Sequence, residues 1–503
     1  MATAAWAAYA AQALLVWFVT TIVYRRFFHP LSGIPGPFLP AVTRLYAWYW
    51  NVPKDGRLYR KIEELHARYG PVVRIAPNEI HLADPDNYDK IYSVGSAYYK
   101  DPVFYEVLNV PATFTAISNE EHRRRRAPLN HFFSRRAVLE LEDIVQEKAR
   151  KLCRRVRDAL AAGKPADLRS GLRAVSIDVL TEYAFADCWD HLGKPDFNEW
   201  FSEAVRDTGV MWWTFQQFTF LIKPMAFMPE DFARKMSPAM NGWMDCIVRT
   251  REYVSGVQKN FAAGIKPQRR TIFHELLDPS TLDEETPIPP TLESLSGEAL
   301  SFCTAAADTT GNALEMSAYC VVTNPYIYKA LTEELRQAFP DPSKELDYVT
   351  LEKLPYLTGV IKEGQRLSYG VISRLPRVTP SGGASFNGYY VPEGTTVSMS
   401  SWMMHRNPDA FPDPDIFDPT RWTNPDTVRA REKCLVAFSR GSRACIGQNL
   451  ALVELYVTLG TLFRGFETLK ALDIGPEDMT YVDYFSAFHP KGSRGFSVVA
   501  GDQ

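Results

Sequence analysis

The chain has 503 residues, 46% of them hydrophobic and 13% aromatic, with a formal net charge of -3. This length and composition supply a sizeable core, and the near-neutral balance excludes a global field that would draw nucleic acid. Seven scattered cysteines without a C-x-x-C pair exclude a zinc knuckle and fit a reducing compartment.

In chain order, Trp6 to Tyr24 is almost wholly apolar and is followed at once by Arg25-Arg26. As a helix this stretch spans about 28 Å, close to the hydrocarbon thickness of a bilayer. A cleaved signal peptide carries its charge before a shorter apolar part. The pattern therefore reads as a signal-anchor over residues 1–24, with the positive flank and all that follows on the cytosolic side. A buried core helix is the competing reading. Proline and glycine crowd His29–Pro37 and oppose helix, so residues 25–50 read as a semi-rigid hinge. Residues 51–503 read as one catalytic domain.

A helix is expected over Leu58–Tyr69, then a β-hairpin over Val72–Leu82, where two β-branched runs flank Pro77-Asn78. Ser118 and Glu121 form a capping-box pattern, opening a helix that carries His122-Arg123-Arg124-Arg125-Arg126. That run is either a solvated face or, since His122 and Arg126 share one side, a face turned inward to an anion. Helical patterns continue to about residue 260. Within them Met211–Ile222 is dense in aromatics, with Met225, Phe227 and Met228 behind it. Ordinary core, a lipophilic roof and a membrane-dipping surface all suit it. Residues 263–290 read as a loop.

The longest helix runs from Pro289 to about Val322, roughly 48 Å. Small residues surround Asp308 and Thr309 at its middle, where polar groups are costly unless bonded or used. Thr309 has the option of bonding back to the preceding turn. A helix over Leu354–Leu367 places Glu363 and Arg366 at i, i+3. Two short strands are expected within Phe386–Val397, joined at Pro392-Glu393-Gly394. Finally Phe438-x-x-Gly441-x-Arg443-x-Cys445-x-Gly447 delivers one cysteine to the start of an apolar helix. A helix N-terminus and a nearby arginine favour a thiolate, which serves as a nucleophile or as a metal ligand.

Taken together, the anchor with its proline hinge, Ala-Ala-Ala-Asp-Thr on a long helix, Glu-x-x-Arg, Phe417-x-Pro419-x-Arg421-Trp422 and the cysteine decapeptide resemble a microsomal cytochrome P450 of the fungal secondary-metabolism type. The resemblance covers essentially the whole chain. It implies a mainly α fold with a small β region, one large domain, and a haem b cofactor. Cys445 would be the iron ligand, with Phe438 packed beside the sulfur and Gly447 backbone N–H tempering its charge. Arg443, His122, Arg126, Arg377 and, less directly, Arg374 would face the propionates. Glu363, Arg366 and Arg421 would form a buried structural network. Asp308 and Thr309 would relay protons during O2 activation.

The implied activity is insertion of one oxygen atom, by hydroxylation or epoxidation, into a lipophilic terpenoid or polyketide-derived molecule. Electrons would come from NADPH through a separate P450 reductase, on the endoplasmic reticulum membrane. Arg440 and its basic neighbours are a candidate contact for that partner. Two departures stand out: Ala306 replaces the usual glycine before the acid–alcohol pair, and His122 replaces a usual tryptophan. A haem-thiolate isomerase or dehydratase, which dispenses with a proton relay, and a non-catalytic haem sensor are the rivals. A cysteine hydrolase needs a histidine partner, and no motif places one near Cys445. Pocket walls are expected around 105–118, 205–230, 300–309, 369–375 and 484–488.

Overall fold

The computed structural model describes residues 2–108, 110–222, 228–278 and 290–501. Met225, Phe227 and the 263–290 loop beyond Asp278 fall outside them. Ala2–Val23 is one helix, continued by a π-helical turn over Tyr24–Phe28. Its apolar window has none of its residues buried, and Trp6, Leu14, Trp17 and Phe18 are all exposed. A core helix is thereby excluded. A fully exposed apolar rod of this length is matched to hydrocarbon rather than to water, which is consistent with a single-pass anchor.

The hinge is more structured than its composition suggests. His29–Pro37 is non-helical, but Phe38–Val42 and Leu45–Asn51 form two short helices. Leu31 is fully buried. The Arg74 backbone N–H donates to Pro35 O (2.8 Å), and its guanidinium donates to Arg25 O (2.9 Å) and Pro77 O (2.7 Å). The segment is docked on the sheet because Arg74, buried in a strand, needs acceptors that only these carbonyls provide.

The helix Leu58–Tyr69 and the antiparallel hairpin Val72–Ala76 with Glu79–Leu82 match expectation. The sheet has five strands. Beyond that hairpin it continues through Thr396–Ser398, Arg377–Val378 and Tyr99–Lys100. The two expected short strands are present as Tyr389–Val391 and Thr396–Ser398, joined through Pro392-Glu393-Gly394, but they do not pair with each other. Ala384–Phe386 pairs with Tyr389–Val391 instead, turning at Asn387 (φ 47°) and Gly388 (φ 87°). Two successive left-handed residues are the tight-hairpin geometry that Asn-Gly supplies. Pro392–Gly394 only connects this hairpin to the larger sheet.

The long helix spans Leu292–Val322, capped by Thr291, whose hydroxyl accepts from Ser294 N–H (3.2 Å). It packs against the helices Leu168–Phe185, Pro238–Ala262 and Pro355–Ser368 and is the axis of the main hydrophobic core. On Pro355–Ser368, Glu363 and Arg366 are both fully buried and form a two-pronged pair (2.8 and 2.7 Å). Trp422 Nε1–H (3.0 Å) and Asp418 N–H (3.0 Å) also donate to Glu363, and Arg421 stands 3.7 Å from it.

His405 ties this network to the cysteine loop. Its Nδ1–H donates to Arg366 O (2.9 Å), and its Nε2 accepts from Val436 N–H (2.9 Å). The second bond requires a neutral ring, since a protonated Nε2 has no lone pair to accept with. Burial pushes its pKa down to about 3. The unfolded chain binds this proton near pH 6.5, so the stabilisation is complete above that value and is lost as pH falls toward 3. His405→Asn keeps a donor and an acceptor but does not titrate. Between pH 6.5 and 5, wild-type stability is expected to fall more steeply than the variant's, by about 1.4 kcal/mol per pH unit. Denaturant midpoints at several pH values check this, and equal slopes count against it.

Candidate active site

The cysteine loop is held by its own backbone. Cys445 N–H donates to Phe438 O (2.9 Å), Ala444 N–H to Gly441 O (3.0 Å) and Ser439 N–H to Val436 O (2.8 Å). Gly447 then caps the helix Gln448–Gly465. Cys445 is exposed, whereas the other six cysteines are buried or half-buried. Yet burial pushes its thiol up, opposed by the Gly447 N–H and by Arg126. Both statements hold only if the exposed sulfur faces a space inside the protein. Around Gly447 the same openness is visible: a Cβ there would meet only Cys445 Sγ, at 4.0 Å.

A cluster of cations lies beside this space. His122, on the helix Asn119–Asn130, is buried, and its pKa is pushed down to about 3 by desolvation and then by Arg443, Lys100, Arg126 and Arg377. Desolvation likewise lowers Arg443 to about 10, with Arg377 adding to it. Among the described residues none of these five side chains forms an ion pair with a carboxylate. Desolvation opposes charge on these basic groups, and no carboxylate among the described residues offsets it, so the cluster is suited to an anion from outside the chain.

The members are held individually. Arg126 donates to Ala444 O (2.6 Å) and to Asn130 Oδ1 (3.1 Å). Arg443 donates to Ala116 O (2.6 Å), Ile117 O (2.9 Å), Ser118 O (2.9 Å) and Asn119 Oδ1 (3.1 Å). It thus clamps the cysteine loop to the start of the arginine helix, which leaves its Nε–H for an outside anion. Arg377 donates to Tyr105 OH (3.1 Å).

Lys100 carries no sequence motif and was not legible as a site residue. It is buried between the rings of Tyr105 (4.1 Å) and Phe114 (4.0 Å) and donates to Phe114 O. Arg374 does not join the cluster. It makes a two-pronged pair with Glu79 across the sheet, which consumes its charge. Arg440 is also committed, to Asp89 (3.0 Å) and to the carbonyls of Glu432 and Lys433. Of the capping box only half forms: Ser118 Oγ accepts from Glu121 N–H (3.1 Å), while Glu121 turns to Arg125 (3.0 Å).

On the long helix, Thr309 bonds back to Ala305 O (2.8 Å), as its type allows. Asp308 is buried and accepts from Arg173 Nε–H (3.2 Å); its second oxygen has no partner. Burial pushes its carboxyl up, and Arg173 pulls it down. It lines a polar cavity of about 200 Å³ with Arg169, Arg173, Ser202 and His489. One turn earlier, Ser301, Thr304 and Ala305 line a separate apolar cavity of about 120 Å³. Ala305 is exposed to it in the middle of an otherwise buried helix. The walls come from 110–115, 205–212, 300–305 and 484–488, with Trp243 added. The expected 369–375 segment is absent from this cavity.

A cysteine facing an interior space at a helix start, beside basic side chains without carboxylate partners among the described residues, has the donor and charge pattern that a haem with its propionates fits. The family comparison agrees. The cytochrome P450 family model matches residues 37–483, and the chain belongs to the cytochrome P450 family. It is 38% identical over 469 residues to "Cytochrome P450 monooxygenase MO6277" of Ascocoryne sarcoides, covering 90% of each chain. It is 36% identical to "Conidiogenone synthase PchP450" of Penicillium rubens, over 90% of this chain and 92% of that one. It is 33% identical to "Tryptophan 6-hydroxylase fscE" of Fusarium equiseti, over 95% and 93%. The chain is a haem-dependent monooxygenase that uses O2, a redox partner and a lipophilic substrate.

Proposed function

We propose that the chain is an endoplasmic reticulum monooxygenase of fungal secondary metabolism, acting on a neutral terpenoid or polyketide-derived molecule. Residues 1–24 anchor it, 25–50 dock as a linker, and 51–503 form the cytosolic haem-binding domain. The observation that carries this reading is the interior-facing Cys445 sulfur beside a cluster of five basic side chains that lack a carboxylate partner among the described residues.

In this reading Cys445 ligates haem b iron, with Phe438 packed beside it and the Gly447 N–H tempering the sulfur's charge. Arg126, Arg377, His122, Lys100 and the remaining N–H of Arg443 meet the propionates. The bound group, supplied with electrons by NADPH–cytochrome P450 reductase, provides the oxygen-activating chemistry. The chain's own part is protons, orientation and dryness. Asp308, with one oxygen fixed by Arg173, would be the proton-holding carboxyl beside the polar cavity. Thr309, next in sequence, would supply a hydroxyl for proton delivery, its donor being spent on Ala305 O at rest. The aromatic walls exclude bulk water.

Thr309→Ala is expected to lower product formed per NADPH consumed severalfold while leaving haem content intact. Unchanged coupling removes the relay assignment. Deletion of residues 1–24 is expected to shift the protein from microsomal to soluble fractions. Full retention on membranes would show that another surface dominates.

A further inference from the structure

The apolar cavity is roofed by the hairpin Val482–Tyr484 and Ser486–Phe488. At its tip Phe485 has φ 75°, a left-handed backbone that a bulky residue rarely adopts. Several elements hold it there. Phe485 N–H donates to Asp483 Oδ1 (3.0 Å), and Ser373 N–H donates to Phe485 O (3.3 Å). Trp213 Nε1–H reaches Asp483 O (2.7 Å), and Asp483 N–H reaches Gly56 O (2.9 Å). Below, the helix Trp200–Gln217 approaches so closely that a Cβ at Gly209 would fall 2.3 Å from Tyr484 Cβ. Strain that surrounding structure over-determines marks a functional position more often than an accident.

The effect is to set one ring in place. Phe485 lies parallel to Trp212, 5.1 Å between centroids and 10° between planes, and Phe114 meets it edge-on at 5.3 Å. Phe114, Trp212, Trp243, Tyr484, Phe485 and Phe488 line the cavity, and its lining contains no Asp, Glu, Lys, Arg or His. The threonine hydroxyls there are already spent as donors. Thr304 donates to Leu300 O (2.8 Å), Thr208 to Val205 O and Thr115 to Val110 O. An anion entering this space loses its hydration and finds no cation and few free donors.

We propose that this cavity selects a flat, uncharged single ring, and that Phe485 is the residue that determines the preference. The proposal deepens the monooxygenase reading and rests on it. Parallel aromatic faces extend their stack onto a planar guest, whereas a globular guest of equal carbon count touches them at few points. The volume of about 120 Å³ is on the scale of cavities that admit a single ring.

The test uses full-length protein in microsomes, loaded with haem, and three probes: phenol, benzoate and cyclohexanol. Binding is read as the ligand-induced change in haem absorption at pH 7.5. The expected result is a Kd for phenol at least about tenfold below those of the charged and the non-planar probe. In Phe485→Ala the phenol Kd rises about tenfold and cyclohexanol is not weakened. Phe485→Leu, which keeps apolar bulk without a flat face, gives the same loss of preference and guards against misfolding of the alanine variant. Equal affinity for benzoate, an unchanged ratio in both variants, or no response to phenol overturns the proposal. The carbon monoxide spectrum of the reduced wild type separates the two levels. If its thiolate-type band is present, only the slot fails; if it is absent, the haem reading fails with it.

Discussion

Cys445→Ala is expected to abolish the thiolate-type band of the reduced carbon monoxide complex and all NADPH-dependent product. The size of the effect follows from the loop. Its backbone bonds, from Cys445 N–H to Phe438 O and from Ala444 N–H to Gly441 O, do not involve the sulfur. The variant therefore keeps its fold and its cation cluster while losing the one interior-facing thiol. Absorption spectra before and after reduction under carbon monoxide measure this directly. A variant that retained the band would place the ligand elsewhere and leave Cys445 as a nucleophile or bystander. Cys434, the nearest other cysteine in sequence, is no substitute, since its side chain is packed into the hydrophobic cluster beside the sheet while Cys445 is exposed.

Glu363→Ala is expected to cost about 3–5 kcal/mol of stability, because it strands Arg366 in the core. The geometry decides the magnitude. An exposed i, i+3 pair is worth well under about 1 kcal/mol, but here both partners are fully buried. Arg366 is also bonded to Pro414 O (2.6 Å) and Ile416 O (2.9 Å), so it has no route to solvent. Loss of Glu363 additionally leaves Trp422 Nε1–H and Asp418 N–H without an acceptor. The denaturant midpoint and the fraction of chains that retain haem measure the effect. A loss below about 1 kcal/mol would mean that solvent reaches the network.

The sequence made the axial elements legible because their signals are local. The long helix, the capped arginine helix and the cysteine loop each announce themselves by period, cap or spacing. What it hid depends on partners far along the chain. Arg374 and Arg377 flank the same proline, and nothing nearby tells which one meets Glu79, 295 residues away. Lys100 looks like any strand lysine until Tyr105 and Phe114 close around it. The tip of the 384–391 hairpin was readable from Asn387-Gly388, but Pro392-Glu393-Gly394, which starts four residues after Gly388, carries a second turn signal. Trp243 joins the cavity only through the packing of its helix against neighbours.

Arg74 carries one more consequence. Its bonds to Arg25 O and Pro35, with the reciprocal bond from Arg25 to Val42 O (2.6 Å), brace the end of the anchor against the sheet. A tether lets its cargo swivel; a braced joint transmits orientation. Orientation at this joint is shared between two arginines: Arg74→Ala would remove the guanidinium bond to Arg25 O but keep the backbone bond to Pro35 O and the Arg25 bond to Val42 O, so freeing the mount takes loss of both side chains.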